Sequence, residues 1–154
     1  MAKRIKIAEG VYLSGLKNIE DGIQEKVSQL TKASAEGLAL GLTEILGIAA
    51  ERAPLDTGDL RGNGYIEFDG KQYAKGNKDV GVDITGEIPD EIALAKIGFD
   101  SKYAADQHEH TEYDHPRGGR AKYLESAVEE NKDHLLRMIA KAVSASLFGG
   151  DDDD

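Results

Sequence analysis

Residues 16–54 read LKNIEDGIQEKVSQLTKASAEGLALGLTEILGIAAERAP, and their periodicity decides the architecture. Leu16, Ile19, Ile23, Val27, Leu30, Ser34, Leu38, Leu42, Ile45 and Ala49 recur at steps of three and four, the spacing of one helix face. A helix from about Leu16 to Ala53 would span ~54 Å, more than a small core can cover. Its stripe of Ile19, Ile23, Val27 and Leu30 lies far from the Pro54 end and is expected to be exposed. Gly22, Gly37, Gly41 and Gly47 each weaken such a helix. A break near Gly37 is one outcome; the other is that small residues let a second helix approach closely. Pro54 ends the pattern, because the residue before a proline disfavours the α region.

Upstream, Ile5, Ile7, Val11 and Leu13 alternate with polar residues, which reads as a strand or extended arm within residues 1–15. Its bases Lys3, Arg4 and Lys6 suit contact with a neighbouring acidic subunit; a frayed terminus is the plainer reading. Downstream, Tyr65–Phe68 and Lys71–Ala74 flank Asp69-Gly70, a two-residue hairpin signal. Val80–Thr85 forms a strand with Val80, Val82 and Ile84 facing inward, and Ile92–Phe99 forms another. A last helix from near Ala121 to about Leu147 carries Leu124, Ala127, Val128, Leu135, Ile139, Val143 and Leu147 on its apolar face. Gly149-Gly150 stop it, and 149–154 form an acidic tail. The expected fold is α+β: a long N-terminal helix, an antiparallel sheet of about four strands and a C-terminal helix, with 16–148 as one domain.

Composition narrows the function. The 154 residues suffice for one core. With 40% apolar and 31% charged residues the chain is ordinary for a globular protein, and with no Trp its core is aliphatic. The net charge is −10; removing the four tail aspartates, Asp151–Asp154, leaves −6, so the body is acidic as well. That opposes sequence-specific nucleic-acid binding, which needs a basic face, though an acidic wall lets DNA pass without sticking. The absence of cysteine excludes disulfides, thiolate zinc sites and a cysteine nucleophile. No uninterrupted apolar run approaches ~20 residues, so no membrane span is expected. The start MAKRIKIAEG lacks the apolar stretch of a signal peptide.

Three segments invite a chemical reading. Asp56-Thr57-Gly58 matches the aspartic-protease triplet, but that chemistry needs two such aspartates sharing a proton and an apolar strand before them. Here the triplet follows a helix and a proline, so a turn is expected. His108, Glu109, His110, Asp114 and His115 are metal-capable within eight residues, and His108 and His110 would point the same way on a strand. The spacing is not HExxH, and the plainer reading is a polar loop whose imidazoles bond to backbone and carboxylates. A metal-dependent hydrolase built on His108, His110 and His115 is the alternative function. Arg117-Gly118-Gly119-Arg120 lacks the closing Gly-Lys-Ser/Thr of a phosphate loop. No serine sits in an elbow context, and Glu129 and Glu130 read as a solvated helix face.

Two of these segments, APLDTGDLR at 53–61 and YAADQHEHTEYDHPRGGRAKYLE at 103–125, in this order around a long helix and strands, resemble a family of tailed-phage neck proteins. Its members are termed minor capsid, head–tail connector or tail-completion proteins. The resemblance covers roughly residues 35–145; His110 departs from it, where a smaller residue is expected. Neither motif is a catalytic signature of that family. The resemblance implies a structural, non-enzymatic virion protein of the neck, assembled in the host cytoplasm. It implies a ring of six or twelve copies, contacts to portal-side connector and tail proteins, DNA passing through without specific binding, and no cofactor or metal. Loop 100–120 would be the docking element. Partner contacts are expected at Tyr103, His108, Glu109, Tyr113, His115, Arg117, Arg120 and Tyr123, and on the long helix at Ile23 and Val27.

Overall fold

The computed structural model describes residues 5–8, 11–13, 15–54, 59–79, 81–100 and 122–149. The fold is α+β. Strands β1 (Ile5–Ala8) and β2 (Val11–Leu13) pair with each other as a separate antiparallel hairpin. Helix α1 (Leu16–Arg52) follows, then the short α2 (Asp59–Gly62). Strands β3 (Gly64–Phe68), β4 (Lys71–Gly76), β5 (Val82–Ile84) and β6 (Ala95–Phe99) form an antiparallel sheet in the order β5-β4-β3-β6. Helix α3 (Tyr123–Phe148) closes the chain.

α1 runs unbroken for 37 residues, so the break considered at Gly37 does not occur. The reason is the second helix. A Cβ on Gly37 would stand 2.7 Å from the Ile139 Cα, and one on Gly41 would collide with the Leu135 side chain. Both glycines therefore permit backbone-level approach of α3, and the α1–α3 contact is the largest between any two elements. Where α1 leaves α3 and the sheet it becomes exposed, as its length required.

Pro54 stops α1, and its last carbonyls need other donors. Arg61, buried in α2, provides them. Its Nε donates to the Ala53 carbonyl at 3.0 Å, and its Nη2 donates to Ala53 at 2.9 Å and to Glu51 at 3.0 Å. A cation at a helix C-terminus is also favoured by the macrodipole.

The Asp69-Gly70 turn forms as read, with φ of 51° and 79°, the left-handed pair that a type I′ hairpin needs. Asp69 does more than turn the chain. Its Oδ1 accepts from the Leu94 N–H at 2.8 Å and the Ala93 N–H at 3.2 Å, and its own N–H donates to the Leu94 carbonyl. This holds 92–94 in a turn, so β6 starts at Ala95 rather than at Ile92. A bulge lies between the Ile66↔Ala74 and Glu67↔Gln72 pairs, and it lets Tyr73 and Ala74 both turn inward. Of the strand expected over 80–85, β5 covers Val82–Ile84, and Val80 lies outside the described residues. Ile84, expected inward, is 53% exposed, because among the described residues β5 is an edge strand paired only to β4.

The core fills the space between helices and sheet. Ala39, Leu42 and Leu46 of α1 meet Ile66, Phe68, Tyr73 and Ala74 of the sheet. Ile45 and Ala49 meet Ala127 of α3. On α3, Leu124, Val128 and Leu135 pack as expected, whereas Leu147 lies in the exposed last turn.

Candidate functional site

α1 is 37 residues long and α3 is 26, so α1 would measure ~56 Å against ~39 Å for its partner. The excess falls at the N-terminal half. There Ile19, Ile23 and Val27 are 56%, 59% and 56% exposed, an apolar line along an otherwise charged helix. Lys17, Glu20, Asp21, Glu25 and Lys26 interrupt it on the other faces. The stripe foreseen from the periodicity thus lies outside this subunit's own core. Leu30, one turn further, is half-buried.

One side of the stripe forms a groove of about 360 Å³ with the chain that joins β5 to β6. Ile23, Gln24, Val27, Ser28 and Thr31 line it from α1, and Asp90 and Glu91 from the connection. Lys32 reaches Asp90 at 3.9 Å, an exposed pair of little energetic weight.

Tyr123, expected at a partner surface, is instead buried within its own subunit at 1% exposure. Its ring stands edge-on to Phe99 of β6, with centroids 5.1 Å apart, and packs on Ala53 and Leu60. It thereby fixes the start of α3 against the end of α1 and the sheet. Arg52 completes that joint, donating to Ser126 Oγ at 3.1 Å and to the Glu130 carboxylate. Glu130 is therefore a partner of α1 rather than one of two merely solvated carboxylates, while Glu129 pairs with Lys132 on the α3 surface. His134, the histidine outside the 103–125 motif, lies 2.7 Å from Glu44 across the same two helices.

Burial pushes the Tyr123 phenol up to about 12. A phenol buried in its neutral form contributes its full stability below the unfolded value near 10 and loses it as pH rises through the folded one. The denaturation midpoint should therefore fall between pH ~10 and ~12. Tyr123→Phe should flatten that fall; an equal fall in both proteins would remove Tyr123 as its cause.

Tyr103, His108, Glu109, His110, Tyr113, His115, Arg117 and Arg120 lie outside the described residues, as does the Asp56-Thr57-Gly58 triplet. Among the described residues no three His, Asp or Glu side chains gather as a metal site. The expectation that nothing in the chain is apolar enough to span a membrane needs correction. By length and composition Lys17–Arg52 passes, with mean hydropathy 1.3 over an 18-residue window. Ala, Leu and Ile raise the hydropathy there, while Glu, Ser, Thr and Gly interrupt any unbroken apolar run. Of that window 56% is buried inside the fold, as for a core helix. No family model, curated protein or solved structure matches the chain.

Two features escaped the sequence reading. Arg61 as the lid on α1 had only a weak signal, a base shortly after a helix-ending proline. The groove had none, because Asp90 and Glu91 are about 60 residues or more along the chain from the helix face they join.

Proposed function

We infer that the chain is a structural protein of a tailed-phage neck. Copies of it assemble into a ring of six or twelve that joins the portal-side connector to the tail. It catalyses no reaction; it works by shape and contact, with DNA passing through the ring without specific binding. Its place is the virion neck, after assembly in the host cytoplasm.

The observation that carries this reading is the overhanging half of α1. Ile19, Ile23 and Val27 form an apolar line that the subunit leaves uncovered. Such lines mark partner contacts in soluble proteins. A stripe at one end of an elongated subunit suits head-to-tail contact, which closes into a ring when the rotation per copy permits. The acidic body is consistent with a wall that does not hold DNA. The two motifs that resemble neck proteins supply the rest.

The test is the mass of the purified full chain. Light scattering across a concentration series should give a discrete multiple of the 16.6 kDa chain, and negative-stain images should show annular particles. A chain that remains monomeric at every concentration, and still does so beside connector and tail proteins of its own phage, would overturn the ring.

A further inference from the structure

We propose that the groove beside the overhanging half of α1 receives the N-terminal arm of a second copy, namely strand β1 and the basic residues before it. The proposal rests on the ring reading and names the contact from which the ring would be built.

The groove sets two requirements. Its helical wall is apolar at Ile23 and Val27, so the occupant must bring apolar side chains. Its opposite rim is formed by Asp90 and Glu91, two carboxylates, of which Asp90 has Lys32 at 3.9 Å. The occupant must therefore also bring cations. At about 360 Å³ the space suits a few residues of extended chain rather than a helix.

The start of this chain meets both requirements. Lys3-Arg4-Ile5-Lys6-Ile7 sets three bases among two isoleucines, in a protein that is otherwise acidic. β1 is already extended, and among the described residues it pairs only with β2, apart from the main sheet. A two-stranded hairpin alone is marginally stable in water and gains by docking on another surface. On the groove's helical wall Ile23 and Val27 are 59% and 56% exposed in the subunit. The groove is thus free to take the arm of a neighbour. An arm given to one neighbour while the groove accepts the arm of another is a heterologous contact, and it repeats around a ring without needing a two-fold axis.

The chain has no cysteine, which allows a direct test. Ile5→Cys and Val27→Cys are made as separate full-length variants, mixed, and oxidised mildly. A covalent dimer should form in the mixture and not in either variant alone. In parallel, reversing the arm (Lys3→Glu, Arg4→Glu, Lys6→Glu) or the rim (Asp90→Lys, Glu91→Lys) should abolish ring assembly, and combining both reversals in one chain should restore it. Rings that form without the mixed dimer and survive both reversals overturn the arm contact and leave the ring intact. A chain carrying both cysteines that bridges internally as a monomer also overturns it, since the arm then serves its own groove. Failure of the ring reading is seen separately, by the mass of the wild-type chain.

Discussion

Gly37→Leu should lower the unfolding free energy by ~3 kcal/mol, near the upper end of what overpacking costs. Gly37 sits where α3 crosses α1. A Cβ there would stand 2.7 Å from the Ile139 Cα, 3.0 Å from the Met138 carbonyl oxygen and 3.2 Å from the Ala142 Cβ. Two of these are backbone atoms, so no rotamer change relieves the clash and the helices must separate. Separation would also loosen Leu135 from the core of α1 and the sheet. The right control lies in the same helix. A Cβ on Gly47 meets nothing within 4 Å, so Gly47→Ala adds only helix propensity and should stabilise by up to ~1 kcal/mol. The two substitutions should therefore move the urea midpoint in opposite directions. If Gly37→Leu left the midpoint in place, the close α1–α3 crossing would be wrong.

That crossing also shows where the sequence was legible. The three-and-four spacing of apolar residues located α1 nearly to its ends, because it begins at Leu16 and a proline stops it. Asp69-Gly70 located a turn, because few residue pairs accept two left-handed φ values in succession. What stayed hidden depends on contacts between distant segments. Whether the helix broke or ran straight past Gly37 was set by Ile139, about a hundred residues later. The start of β6 was set by the Asp69 carboxylate on Ala93 and Leu94. Ile84 followed the alternation of a half-buried strand, yet its place at the edge of the sheet leaves it in water.

The candidate site divides the same way. Ile19, Ile23 and Val27 were legible as surplus, because a helix so long must outrun a core built from so few strands. Tyr123 was not legible as core. An aromatic beside a motif rich in polar residues reads as a contact residue until Phe99 is found against its ring. Asp90 and Glu91 carried no signal, being two carboxylates in an acidic chain, and only folding sets them beside an apolar wall.

Replacing Ile23 and Val27 together by Asp should leave the subunit folded and prevent its assembly. Both side chains are more than half exposed, so the isolated subunit loses little packing. Asp is a poorer helix former, but the cost is at most ~0.7 kcal/mol per site. Circular dichroism and the urea midpoint should therefore stay close to the parent. In a contact that covers the stripe, each substitution buries a carboxylate without a partner, which costs ~3 kcal/mol or more. Every ~1.4 kcal/mol is a tenfold change in association, so two such charges should raise the ring-forming concentration beyond practical reach. Ile23→Ala with Val27→Ala removes apolar area without adding charge and should weaken assembly less. The ordering parent, alanine pair, aspartate pair is the signature of a buried apolar contact, and light scattering on the three proteins reads it directly. If the aspartate pair assembled like the parent, the overhanging half of α1 would face water in the ring. The subunit contact would then have to use the sheet edges, where among the described residues β5 and β6 each pair on one side only.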